Sequence, residues 1–187
     1  MDNRVTDADL VKRAEGGDPA AFELLVERYY EIAVSAAYSL LADVDSSKDC
    51  AQEAFLEAAK TLSHIRDKAK FGQWIYGISR RKAIYILRRQ KLHTQALRVK
   101  TDESRRLKPV SSPSEQMSRQ EKHASVLRAL HQVSEKYREV LVLKCIDERS
   151  HEDIARILNI SLAAVDKRLV RGKEMLREVL RRWKLDE

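Results

Sequence analysis

A chain of 187 residues with 43% apolar and 35% charged residues can fold as one domain or as two small ones. Only three prolines and five glycines punctuate it, which excludes a turn-rich β protein and predicts an all-α fold of long amphipathic helices. No apolar run approaches the roughly 20 residues that span a membrane, and no charged-then-apolar leader opens the chain, so a cytoplasmic protein without stable membrane insertion is expected.

Thr6 and Asp9 form a capping box that announces the first helix, and its stripe of Leu10, Val11 and Ala14 stops at Gly16-Gly17. Asp18-Pro19 then places a good N-cap before a proline at the first helical position. From there Phe22, Leu25, Val26, Tyr29, Ala33, Ala36 and Leu40 recur at helical spacing to about Leu41, predicting a long core helix. A third helix is predicted from about Asp45 to Leu62, with Ala51, Ala54, Phe55 and Ala58 on its buried side and Asp49, Glu53 and Glu57 on the other. After a loop over Ser63–Lys70, the repeat of Trp74, Ile75, Ile78, Ile84 and Leu87 predicts a fourth helix from Phe71 to about Gln90 that ends in strongly basic turns.

Periodicity then fails. Residues 93–120 are rich in Lys, Arg and Ser and are interrupted by Pro109 and Pro113, which reads as a flexible basic linker. Beyond it Val126, Leu127, Leu130 and Val133 mark one helix, Ser134 with Tyr137 to Ile146 another, and two more complete the chain. The expected organisation is two small helical domains, 1–92 and 121–187, joined by that linker. Cys50 and Cys145 lie far apart and form no CxxC or Cys/His pair, so two reduced, semi-buried thiols are expected, with no metal and no cofactor.

The net charge of +7 hides an asymmetry: residues 1–60 hold 6 Lys/Arg against 13 Asp/Glu, so the remainder carries +14. An acidic front followed by a basic body suits a bridge between a basic protein surface and phosphates; ordinary solvated helix faces are the plainer alternative.

Ser150 to Val170 reads SHEDIARILNISLAAVDKRLV and predicts a helix-turn-helix. Ser150 can cap the first helix, whose Ile154, Ala155 and Leu158 face inward, and Asn159 can take the left-handed conformation that ends it. Ser161 can cap the second, on which Val165 and Leu169 pack inward while Asp166, Lys167, Val170 and Arg171 point to the other side, toward a major groove. Arg168, Lys173 and Arg177 are placed for phosphates. Asp166 could accept from a cytosine amino group or orient Lys167, and the second reading is preferred. His151-Glu152 opens no zinc helix, because Ala155 stands where the second histidine would be.

Two blocks carry a family resemblance. DCAQEAFLEAAK at Asp49–Lys60 with FGQWIYGISRRKAIYILRRQK at Phe71–Lys91, and the stretch from Ser134 through the helix-turn-helix, resemble the extracytoplasmic-function (ECF) branch of the sigma-70 family. The resemblance implies a transcription initiation factor, not an enzyme, that joins core RNA polymerase and directs it to the −10 and −35 elements of promoter DNA. It assigns Asp49, Gln52, Glu53 and Glu57 to polymerase docking. Arg80, Arg81, Tyr85, Arg88 and Arg89 fall to the −10 region, and Ser161, Lys167, Arg168, Val170, Arg171 and Lys173 to the −35 region. It also makes an anti-sigma factor an expected kind of partner, and any flipped-base pocket would lie near Ser63–Lys70.

The chain departs from the family pattern at Arg81 and Tyr85, where the family often has Asn and Asp, and at Asp166, where it often has a cation. Trp74, among Ile75 and Ile78, reads as core rather than as a base-stacking platform. A one-component DNA-binding regulator would need only the C-terminal motif, and the docking block speaks against it. A nucleic-acid enzyme would need an acidic metal cluster, a phosphate loop or a nucleophile-base pair, which the sequence does not offer.

Overall fold

The structure, a computed structural model, describes residues 5–100, 126 and 128–185, and among these there is no β-strand. Four helices build the first unit: α1 (Asp7–Glu15), α2 (Pro19–Leu41), α3 (Val44–Thr61) and α4 (Phe71–Lys100). Their starts follow local chemistry. Thr6 accepts from the Asp9 amide at 3.2 Å, Asp18 from the Ala21 amide at 3.3 Å, and Asp43 from the Ser46 amide at 2.8 Å. The third helix therefore begins one residue before the expected Asp45, because Asp43 is the side chain in capping geometry.

The apolar sides of these helices close one core around Leu10, Leu25, Phe55, Phe71, Ile75 and Ile78. Trp74 packs against it, its ring 5.8 Å from Phe71, in agreement with the core reading. Small residues let α2, α3 and α4 approach closely: buried Ser79 donates to the Ala33 carbonyl at 2.6 Å, and the Cys50 thiol donates to the Ser79 carbonyl at 3.4 Å. Between α3 and α4 the expected loop is two short 3-10 turns, Leu62–His64 and Lys68–Lys70, pinned by buried Leu62 and Ile65.

The fourth helix outruns its expected end. It continues to Lys100, so residues 93–100 of the expected linker are helical; Gln95, Ala96, Leu97, Arg98 and Lys100 are good helix formers, and no Gly or Pro interrupts the stretch. The rest of that linker, 101–120, lies outside the described residues.

Gly72 opens α4 directly against Tyr29. A Cβ there would overlap Cε1 of the ring and sit 3.0 Å from Cδ1. Tyr29 cannot easily yield, since its hydroxyl donates to Asp7 and its ring lies 5.5 Å from that of Phe71. Gly72→Ala should therefore lower thermal stability by about 1 to 3 kcal/mol, and much less in a Tyr29→Ala background. An equal loss in both backgrounds would show that the contact is not the cause.

The second unit contains α5 (residues 128–132), α6 (Glu135–Cys145), α7 (His151–Leu158) and α8 (Leu162–Leu185). Its core holds Leu130, Val133, Val140, Leu143, Ile154, Val165 and Leu169. Gly172 brings α8 against α6, where an added Cβ would meet Leu141 Cδ1 at 3.0 Å. The two units pack together: Ile32, Ala36, Tyr38 and Tyr76 of the first share an apolar cluster with the second. From Ile32 to Ser39, α2 is buried on nearly every side, as a helix covered by two layers must be.

Candidate nucleic-acid interface

The helix-turn-helix forms as its capping residues demand. Ser150 accepts from the Asp153 amide at 3.0 Å, Asn159 closes α7 at φ 53°, and Ser161 accepts from the Ala164 amide at 3.2 Å. Val165 and Leu169 are buried, while Ser161, Asp166, Lys167, Val170, Arg171 and Lys173 are exposed on α8. Arg168 is half-buried at the flank, and Arg171 is held by Glu174 at 3.0 Å. Asp166 does not serve Lys167: its carboxylate lies 2.8 Å from Nδ1 of His151, at the start of α7. Two helices separated by a turn meet there, a contact that i, i+4 spacing along α8 could not reveal.

On α3, Asp49, Gln52 and Glu53 are exposed and Glu57 is half-buried. Leu56, unassigned in the sequence reading, stands 64% exposed among them. The two glutamates face α4, whose Lys82 lies 3.0 Å from Glu57 and 3.7 Å from Glu53, and whose Arg81 lies 3.9 Å from Glu57. The acidic and basic candidate faces thus touch each other along the α3–α4 groove.

Tyr85 (67% exposed), Arg81, Arg88 and Arg89 present one basic surface. Arg80 does not belong to it. Its guanidinium donates to Glu139 at 2.9 Å and also to Glu135, both on α6, so it sits in the contact between the two units. Near the 3-10 turns, where a base pocket was expected, a cleft of about 860 Å³ is lined by Asp67, Ala69 and Lys70 of the first unit and Arg149 and Arg156 of the second.

Two further polar contacts cross the seam. Ser35 donates to Asp147 at 2.6 Å, and the Tyr38 ring meets that of His131 edge-on at 5.6 Å. Burial pushes the Asp147 carboxyl up to about 6, helped by nearby Glu31 and opposed by the Ser35 hydroxyl and Arg149; its second oxygen is buried without a hydrogen-bond partner among the described residues. Burial pushes His131 down to about 4, with the adjacent Arg138 cation in support. Arg138 can only donate, so the His131 Nδ1 it approaches at 2.5 Å carries the lone pair and the ring is neutral.

These two titrations oppose each other. Between pH 7.5 and 5 the native state takes up the Asp147 proton earlier than an unfolded chain would, which stabilises it as pH falls; His131 resists a proton that the unfolded chain accepts, which destabilises it. Asp147→Asn should therefore make the melting temperature fall more steeply on acidification than in the wild type. His131→Asn should make it rise relative to the wild type. Parallel pH profiles for all three proteins would show that neither group titrates as its surroundings dictate.

Comparison with known proteins adds two family matches: Sigma-70 region 2 over residues 25–93 and Sigma-70, region 4, over residues 123–176. The chain is 31% identical over 180 residues to the ECF RNA polymerase sigma factor SigW of Bacillus subtilis, covering 91% of this chain and 95% of that one. It is 30% identical over 182 residues to the ECF RNA polymerase sigma-E factor of Escherichia coli, covering 94% and 95%. Among solved structures, CnrH in complex with the cytosolic domain of CnrY aligns at a TM-score of 0.64 and 23% identity, over 93% of this chain and 96% of that one. The sigma factor RpoE of Bartonella quintana, solved with the anti-sigma factor NepR, aligns at 0.58 and 21%, over 86% and 96%. No helix among the described residues is long and apolar enough to cross a membrane.

Proposed function

The chain belongs to the extracytoplasmic-function sigma factors of the sigma-70 family, and from that premise we propose how its two units divide the work. As a sigma factor it is a transcription initiation factor that binds core RNA polymerase and directs it to promoter DNA. We assign docking to the α3 face of exposed Asp49, Gln52, Glu53 and Leu56 with half-buried Glu57. The carboxylates offer charge to a basic polymerase surface and the leucine an apolar anchor at its centre. The basic end of α4, with Arg81, Tyr85, Arg88 and Arg89, would read and hold the −10 region. The helix-turn-helix would grip the −35 region as duplex, with Lys167, Val170 and Arg171 toward the bases and Arg168 and Lys173 toward phosphates. Domain one would cover 1–92 and its helical extension, domain two 121–187. The factor needs no catalytic residue of its own on this reading, and an anti-sigma factor is an expected partner.

The observation that carries the division is the pairing of an exposed acidic helix with a capped helix-turn-helix on separate units of one chain. Purified core polymerase with this protein alone should initiate run-off transcription on genomic fragments that the pair selects together. A DNA-binding regulator would do so only with a second sigma factor present, and that requirement would overturn the proposal.

A further inference from the structure

We propose that Asp166 reads a cytosine in the −35 duplex: one carboxylate oxygen is held by His151, and the other accepts the N4 amino hydrogen of that base in the major groove. His151 is the positioning residue. The inference deepens the reading of α8 as the duplex-gripping helix and rests on it.

Asp166 stands in the second turn of α8, among the N-terminal residues of a recognition helix that meet base edges. Its side chain is 60% exposed. The residues three and four positions away on either side, Leu162, Ala163, Leu169 and Val170, are all apolar, so no cation of α8 is spaced to neutralise it. An unassisted carboxylate on a surface that meets phosphates would only repel DNA.

Asp166 is assisted from outside its own helix. A carboxylate only accepts, so Nδ1 of His151 carries the hydrogen and donates across 2.8 Å to Oδ1. His151 is the first residue of α7, and Ser150 before it fixes that turn, accepting from the Asp153 amide at 3.0 Å and donating to its carboxylate at 2.8 Å. The ring is thus anchored on one helix and holds an acceptor on the next. Oδ2 of Asp166 has no hydrogen-bond partner among the described residues and is left for the groove. Both residues belong to the second unit, so the arrangement does not depend on how the two units sit.

The chemistry selects cytosine. On the major-groove edge guanine and thymine present acceptors, adenine sets its amino group beside the N7 acceptor, and cytosine alone offers an amino donor with no acceptor on the same base. A fixed carboxylate meets a lone pair on the first three and none on the last.

The test uses holoenzyme assembled from core polymerase and the full-length chain, with duplexes in which each base pair of its selected −35 element is changed to the other three. Wild type should prefer cytosine at one position by about fivefold or more. Asp166→Ala should flatten that position alone, and should bind the non-cytosine duplexes there more tightly than wild type does, because their repulsion is gone. His151→Ala should reduce the same preference severalfold and leave every other position as it was, whereas His151→Asn, whose amide nitrogen replaces Nδ1, should restore most of it. In an Asp166→Ala chain, His151→Ala should change nothing further at that position. An Asp166→Ala protein that tightens on every duplex equally would show a solvated carboxylate without a base partner, and a His151→Ala protein that weakens all positions alike would show a structural histidine. Either overturns the proposal, as does a wild type with no cytosine preference. Those outcomes leave the proposed function standing, because the element is still selected; a holoenzyme that selects no −35 element removes both.

Discussion

Asp49→Lys is expected to weaken binding to core polymerase by at least about tenfold, roughly 1.4 kcal/mol, with no change in melting temperature. Asp49 is exposed and has no ion-pair partner among the described residues, so its reversal disturbs nothing inside the chain. Glu53→Lys should cost more, but for two reasons. The new cation would face Lys82, which now lies 3.7 Å from Glu53, and part of the loss would come from a disturbed α3–α4 groove. Isolated surface ion pairs contribute little, whereas several desolvated together at an interface contribute a few kcal/mol. Leu56→Ala distinguishes the apolar part: it should weaken docking without altering the salt dependence that the carboxylates confer. Unchanged core affinity in a folded Asp49→Lys, Glu53→Lys double variant would remove α3 from the docking surface.

The second large effect belongs to α8. In holoenzyme, Lys167→Ala should cost roughly 1 to 3 kcal/mol on the preferred −35 sequence and flatten discrimination among sequence variants. Arg171 lies four residues on, along the same face, but is held by Glu174 at 3.0 Å, so releasing it offsets part of any gain; Arg171→Ala should fall at the low end of that range. Arg168 is half-buried at the flank, and its loss should weaken all sequences alike and lower the salt slope. Titrating holoenzymes against duplex variants at two salt concentrations separates the classes. If Arg168→Ala alone relaxed base preference while Lys167→Ala weakened every duplex equally, α8 would be rotated from the proposed orientation.

What the sequence made legible was whatever local chemistry decides. Thr6, Asp18, Ser150 and Ser161 start helices because a side-chain oxygen three residues back can satisfy an orphan amide, and Asn159 ends one because it tolerates φ 53°. The all-α fold and the exposed side of α8 follow from such signals together with apolar spacing. Arg80 was sorted with its neighbours because nothing within a helical turn marks it as different; its partners are 55 and 59 residues away. Asp166 was misread for the same reason, since His151 lies beyond the turn. Residues 93–100 read as linker in the sequence because they lack an apolar stripe, although Gln95, Ala96, Leu97, Arg98 and Lys100 favour a helix and the preceding turns of α4 already supply the nucleus. Leu56 escaped notice because an exposed leucine obeys no pattern until the fold shows which face is open.

The shared apolar cluster across the seam bears on how the protein can be dissected. Ile32, Ala36, Tyr38 and Tyr76 cover part of the core formed by Leu130, Val133 and the residues of α6. Truncation between the units would strip that cover from both fragments at once, leaving each with a bare hydrophobic patch of the kind that drives self-association. Fragments made for crystallisation or for binding studies would therefore stay monodisperse more readily with polar replacements at Tyr38 and Val133 than as simple cuts of the natural chain.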